Sequence, residues 1–286
     1  MKEDIRSVVC RVDTSGWKTV HVEYGANALE IAVPQDCRVL TMKDMPVVGD
    51  PQRAIADALA HPIGSDRIAD IVKKKSKPPG KLSAAVTVSD ITRPVPYKGK
   101  NGILSPILRE LEGAGIDRSN IVIVVGNGMH RPSTAQERID MYGEDICRDY
   151  RIADHNCDDA ASLTHVGKTR SGGDVFVNST FFNADIRIAT GLVESHFMVG
   201  VSGGRKAVCP GLVDTRTIQK FHSPAFLESP FADNLILEGN PCHEESLEIA
   251  KTVGVDFLVN VNLDKDMRLL KVVAGDLVAA HREAYL

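Results

Sequence analysis

The sequence predicts an α/β protein built on a parallel, doubly wound sheet, and three observations carry that reading. Apolar runs with no polar face, as a parallel strand buried on both sides requires, occur at residues 82–88, 121–125, 186–192 and 256–261. Segments with apolar residues at helical spacing alternate with them, the pattern of strand–helix–strand units. The chain has 286 residues, which at ~150 per domain allows one large domain or two modest ones.

The elements follow in order. Residues 19–24, 28–33 and 38–42 are short, rich in Val, Leu and Ile, and separated by turn residues, so the chain opens on β structure. Asp50-Pro51 is an N-cap with proline at the first helical position, predicting a helix to about Ala60. A second helix is expected over 66–75, its lysines in the last turn where the dipole favours them. Ser76-Lys77-Pro78-Pro79-Gly80 breaks it, and the strand at 82–88 follows. Residues 103–111 have helical spacing, terminated by Gly113 and Gly115. After the strand at 121–125, Ser133 with Gln136, or Thr134 with Glu137, offers a capping box. The strand at 186–192, a helix at 214–221 and the strand at 256–261 complete a Rossmann-like arrangement.

Composition narrows the function. Lys plus Arg is 34 and Asp plus Glu 38, so the formal charge is 34 − 38 = −4, without the basic surface that phosphate contacts need. No apolar run approaches the ~20 residues of a membrane span, and MKEDIRSVVC lacks the apolar core of a signal peptide. A cytoplasmic protein acting on neither nucleic acid nor membrane is expected. The six cysteines are scattered with no CxxC pair, which argues against a zinc knuckle or a thioredoxin-type site.

Unusual polar residues fall where three predicted strands end, the place where open α/β sheets bind ligands. They are Ser89-Asp90-Ile91-Thr92-Arg93-Pro94, Gly126-Asn127-Gly128-Met129-His130-Arg131-Pro132, and Glu194-Ser195-His196 with Ser202-Gly203-Gly204-Arg205-Lys206. Each residue also has a purely structural reading. Asp90 caps a turn and pairs with Arg93, His130 is a solvated loop residue, His196 is a core histidine, and His222 ends a helix. Most of the other histidines (His21, His61, His155, His165, His243, His281) are assigned to the surface. His155-Asn156-Cys157-Asp158-Asp159 has metal-like composition but no defensible ligand spacing. Gly126-Asn127-Gly128 starts like a dinucleotide loop, but Arg131 replaces the third glycine. There is no GxxxxGK[ST] loop and no GxSxG elbow, so a plain NAD-dependent oxidoreductase ranks low.

Together these three motifs, with His222 sixteen residues after Lys206, resemble the nickel-dependent lactate racemase family. The resemblance implies a nickel pincer nucleotide, a nicotinic-acid-derived mononucleotide bearing two sulfur-containing groups. It would be tethered covalently to Lys206, with its nickel held by two sulfurs, a ring carbon and His222. His130 and His196 become the acid–base pair, Arg93 the anchor for the substrate carboxylate, and Asp90 a neighbour of substrate and cofactor. Thr92, Gly203 and Gly204 are expected against the cofactor, the glycines letting backbone approach its phosphate. The implied partners are a small 2-hydroxy acid and the cofactor-synthesis enzymes; the oligomeric state is left open.

Chemistry agrees with those roles. The C2 hydrogen of a 2-hydroxy acid is barely acidic beside an ionised carboxylate, whereas its removal as hydride gives a stable 2-keto acid. A racemase working that way needs a base for each enantiomer, with pKa near working pH, and a bidentate carboxylate anchor, which arginine supplies. Soft sulfur with imidazole suits nickel, and Arg205 beside Lys206 is expected to favour the neutral amine. Ser195 stands where lactate racemases commonly have proline, and Met129, Phe197 and Met198 make an apolar surround, so the hydroxy acid is not fixed.

By the resemblance the chain divides into a β-rich segment at 1–50 packed on the same domain, an α/β cofactor-binding domain at 51–275, and the start of a C-terminal domain at 276–286. A non-catalytic relative that binds a nucleotide or hydroxy acid, or a fragment without full activity, is the alternative.

Overall fold

In the computed structural model residues 13–25 and 27–286 are described, apart from the Glu23 side chain. The stretch read above for a signal peptide, Cys10 included, lies outside them. Contacts divide the chain into two units, Met1–Lys43 and Asp44–Leu286. The boundary falls before residue 50, because 44–50 belongs to the larger unit, where the Val48 N–H donates to the Leu269 carbonyl.

The smaller unit contains an antiparallel hairpin of β1 (Lys18–Tyr24) and β2 (Asn27–Val33), in register from Lys18 opposite Val33 to Tyr24 opposite Asn27. The strand expected at 38–42 is not formed. Val39, Leu40 and Met42 are exposed, and an apolar run with no neighbour to take its N–H and C=O groups gains nothing by extending as a strand.

In the larger unit, α1 (Pro51–Ala60) starts as expected, the Asp50 side chain accepting from the Arg53 N–H. The second helix, α2 (Ile68–Lys73), is shorter than the 66–75 expected: Arg67 stands at its N-cap and makes no side-chain cap. Then come β3 (Ala84–Val88), α3 (Leu104–Gly113), β4 (Ile121–Val125) and α4 (Ala135–Tyr142). Of the two capping boxes offered, Thr134 with Glu137 forms. They are followed by α5 (Glu144–Asp149), β5 (Arg151–Asp154), a hairpin of β6 (Leu163–Lys168) and β7 (Asp174–Asn178), α6 (Ser179–Phe182) and β8 (Ile186–Leu192). A short ribbon of β9 (Ser195–His196) and β10 (Gly200–Val201) leads to α7 (Thr215–Phe221), α8 (Pro224–Leu227) and α9 (Pro241–Val253). The chain closes with β11 (Phe257–Leu263), β12 (Leu269–Gly275) and α10 (Ala279–Tyr285).

Six strands form the central sheet in the order β12-β11-β8-β3-β4-β5. All pairs are parallel except β11–β12, which a five-residue link joins, too short for the crossover a parallel pair needs. Both faces are covered. Ile121, Ile123, Ile188, Phe257 and Val259 pack with Ile55, Val72 and Ile107 of α1, α2 and α3. On the other face Ala85, Val124, Ala189 and Leu258 meet Phe181, Phe221, Ile249 and Ala280 from α6, α7, α9 and α10. This is a doubly wound α/β sheet. Strand order reverses between β3 and β8, so their carboxyl ends flank a crevice. Among the described residues no helix is long and apolar enough to cross a membrane.

Candidate active site

A cavity of about 440 Å³ opens at that crevice, lined by loops after β3, β4 and β8. Asp90, Thr92, Arg93, His130, His196, Gly203, Lys206 and His222 all border it, so residues spread over more than a hundred positions share one space.

The β3 loop is held at its first residue. The Ser89 N–H donates to the Tyr97 hydroxyl (2.6 Å) and the Tyr142 hydroxyl donates to the Ser89 carbonyl (2.8 Å). Tyr97 continues to Thr190 Oγ1 (2.9 Å), which donates to the Thr87 carbonyl. Both tyrosines are buried, so Asp90 starts from a fixed point. Asp90 Oδ1 accepts from the N–H and hydroxyl of Thr92 (3.1 and 2.6 Å), and Oδ2 lies 2.6 Å from His130 Nδ1. Only 5 % exposed, this carboxylate accepts the hydrogen bond from Nδ1–H of the neutral ring, which leaves a lone pair on His130 Nε2. Arg93 is not idle: its guanidinium donates to Glu194 Oε1 at 2.7 Å, both groups about half exposed, an ion pair a ligand can displace at little cost.

After β8, Ser202 Oγ ties the loop by donating to the Leu192 carbonyl and accepting the Glu194 N–H. His196 Nδ1 accepts from the N–H groups of Met198 and Val199, and its Nε2 lies 2.7 Å from Lys206 Nζ. Burial first, then Arg93 and Arg205, bring the Lys206 amine down to about 7, the direction expected from Arg205. Burial and the neighbouring Lys206 push His196 down to about 3. His222 ends α7, its Nδ1 donating to the Ile218 carbonyl at 2.8 Å, which leaves Nε2 available to a metal.

The two glycines expected against the cofactor differ in their placement. Gly203 borders the cavity, but Gly204 does not. The Gly204 N–H donates to Asn260 Oδ1 (2.9 Å), and a Cβ there would lie 2.6 Å from His281 Cγ. With φ of +54°, Gly204 is required by close packing inside the chain. Asn260, wholly buried on β11, also donates to the carbonyls of Gly191 and Val259. Asn260→Leu strands these groups and is expected to cost about 3 kcal/mol in chemical denaturation. As the one polar residue in the Phe257–Val261 run it was visible in the sequence; the tyrosine clamp on Ser89 carried no such signal.

Three histidines assigned to the surface are not there. His155 is buried, its Nε2 donating to the Val213 carbonyl. His281 is buried with Nε2 donating to the Ser202 carbonyl, and burial holds His243 down at about 4. His155 lies in a loop, and His243 and His281 in α9 and α10; what buries His155 and His281 is distant in the chain.

Among the described residues no cluster of three or more His, Cys, Asp or Glu could hold a metal ion. The cavity offers two imidazole nitrogens without a protein partner, Nε2 of His130 and Nε2 of His222, of which His222 stands apart from the Asp90 carboxylate, and an amine without an ion pair, at Lys206. That donor set fits a metal whose other ligands come from a group attached to the lysine.

Comparison with known proteins gives the family. Residues 24–233 match the family described as the lactate racemase N-terminal domain. The chain belongs to the lactate racemase family. It is 39 % identical over 232 residues to the lactate racemase of Lactiplantibacillus plantarum, covering 81 % of this chain and 52 % of the relative. It is 32 % identical over 224 residues to that of Thermoanaerobacterium thermosaccharolyticum, covering 78 % and 50 %. The chain thus spans about half the length of the curated relatives it matches. The solved lactate racemase apoprotein from T. thermosaccharolyticum superposes with a TM-score of 0.80 at 28 % identity, over 93 % of this chain and 61 % of that one. A Thermotoga maritima protein shares the fold, with a TM-score of 0.64 at 19 % identity over 82 % of this chain and 59 % of that one.

Proposed function

We propose that this family member holds a nickel pincer nucleotide on Lys206 and His222 and interconverts the enantiomers of a lactate-like 2-hydroxy acid. The observation that carries the reading is that Lys206, His222, Arg93 and the Asp90–His130 pair border one cavity. The names of the matched relatives support lactate as the type of substrate. When bound, the nucleotide and its nickel supply a reversible hydride acceptor.

The chain's own groups do the rest. Lys206 offers the amine for attachment, and His222 offers Nε2 to the metal. Thr92, through Asp90, keeps the carboxylate aimed at His130. His130 Nε2 accepts the substrate hydroxyl proton while Asp90 steadies the resulting imidazolium. Arg93 binds the carboxylate in a two-pronged contact. His196 stands on the same cavity as the second acid–base group. To accept a proton at Nε2 its hydrogen must first shift to Nδ1, at the cost of the bonds from Met198 and Val199. His130 is therefore the acceptor ready in the geometry present.

Substrate has to share or displace the Arg93–Glu194 pair. Glu194→Gln frees the guanidinium and is expected to lower KM for a 2-hydroxy acid about three- to tenfold with kcat less affected, measured by chiral chromatography of initial rates.

The reading as a whole is tested by making the chain alongside the cofactor-synthesis enzymes. Intact mass reports nucleotide on Lys206, metal analysis reports nickel, and single-enantiomer lactate reports racemisation. Loading with conversion of either enantiomer supports it. Tight hydroxy-acid binding with nickel loaded but no conversion points to a binding relative, and an unmodified Lys206 under conditions that load a known relative overturns it.

A further inference from the structure

Lys206 is unlike the surface amines of this chain. Lys74, Lys77 and Lys265 sit on carboxylates, whereas Lys206 forms no ion pair with any described residue and its Nζ meets His196 Nε2 at 2.7 Å. The direction of that hydrogen bond follows from the other ring nitrogen. His196 Nδ1 faces the backbone N–H groups of Met198 (3.2 Å) and Val199 (3.4 Å), which can only donate. With its lone pair on Nδ1, the neutral ring carries its hydrogen on Nε2. An Nε2–H facing an ammonium would set donor against donor. The contact has an acceptor only when the lysine nitrogen is a free amine.

We propose that His196 is a positioning residue for Lys206: its Nε2–H holds the lysine as a free amine in the cavity, ready to attack the carbonyl carbon of an entering acyl ligand, the N–C bond forming as the acyl group's leaving group departs as its anion and the amine proton passes to solvent. The proposal deepens the reading of Lys206 as the attachment point and rests on that reading for its purpose. Other features act in the same direction. The Phe197 ring stacks on the imidazole with centroids 5.0 Å apart and planes 16° from parallel, fixing the ring. Arg205, 1 % exposed, donates to the Val199 carbonyl and meets no carboxylate among the described residues, so it adds positive potential beside the amine. Burial with Arg93 and Arg205 disfavours the ammonium.

The test uses the chain as it stands, with a limiting amount of the N-hydroxysuccinimide ester of acetic acid at pH 7. The amine lone pair attacks the ester carbonyl, the N–C bond forms, and the bond to the succinimidyloxy group breaks. That group leaves as its anion, the amine proton passes to buffer, and an amide remains. Peptide mass mapping gives the rate at every lysine. An ordinary lysine is roughly 0.04 % free amine at this pH, so Lys206 is expected to react about tenfold or more faster than surface lysines even from a half-enclosed site. His196→Gln keeps a side-chain N–H donor and is expected to stay within about threefold of wild type, whereas His196→Phe keeps the ring volume without the donor and falls about tenfold. Nitrogen-15 NMR of the wild-type imidazole, which needs no variant, is expected to show the Nε2-protonated neutral form.

Lys206 reacting no faster than surface amines, a Phe variant as fast as wild type, or an Nδ1-protonated or charged ring each overturns the proposal. Its failure is separable from that of the function. A chain that labels as expected yet never gains the nucleotide's mass removes the proposed function and leaves the pair standing; a chain that gains the mass without the labelling preference does the reverse.

Discussion

On the proposed function, Lys206→Ala is expected to yield a folded chain that gains no nucleotide mass and shows no racemisation, because no other lysine is among the residues that line the cavity. The substitution removes an amine that makes no ion pair, so the thermal midpoint is expected to move by no more than a few degrees. Lys206→Arg is expected to behave the same way, since a guanidinium stays charged and is no nucleophile at neutral pH. The wild-type amine has a sign to check as well. Lowered to about 7, it is mostly free above that pH and becomes ammonium below it. Attachment measured by intact mass after a fixed time is therefore expected to fall about tenfold per pH unit below 7 and to level off above it.

Asp90→Asn is expected to leave cofactor attachment intact and to lower kcat about 10²- to 10⁴-fold, by analogy with other imidazole bases stripped of a carboxylate partner. The amide no longer selects a hydrogen on His130 Nδ1 and no longer stabilises an imidazolium. Its remaining oxygen still accepts from the N–H and hydroxyl of Thr92. Because Arg93 is untouched, KM for the hydroxy acid is expected to change less than about threefold. A variant with unchanged kcat in stopped-time chiral assays would show that His130 acts without its carboxylate.

The architecture was legible because a parallel sheet buried on both faces leaves long apolar runs. The strands at 121–125 and 186–192 appear where the sequence puts them, and the Asp50 cap and the Thr134–Glu137 box mark true helix starts. The site loops were legible for a related reason: residues such as Asp90, His130 and Lys206 have no structural need to follow such strands. What stayed hidden depends on distant partners. The strand expected at 38–42 needed a neighbour that the sequence does not reveal. β12 runs antiparallel because of a short link, not because of its own residues. The clamp of Tyr97 and Tyr142 on Ser89 joins positions 53 apart, and Gly204 is a glycine because of His281 and Asn260, which local reading cannot connect with it.

That last contact gives α10 a reach beyond its own length. His281 fills the space in front of Gly204 and holds the Ser202 carbonyl, two and four residues from Lys206. The terminal helix is in effect a doorstop beneath the reactive lysine. A graft that shifts His281 is therefore expected to disturb the loop from Ser202 to Lys206 first, because that loop is where His281 packs. On the proposed function, a handle on that helix is expected to slow nucleotide attachment, read by intact mass, more than it alters the loops that bear Asp90 and His130.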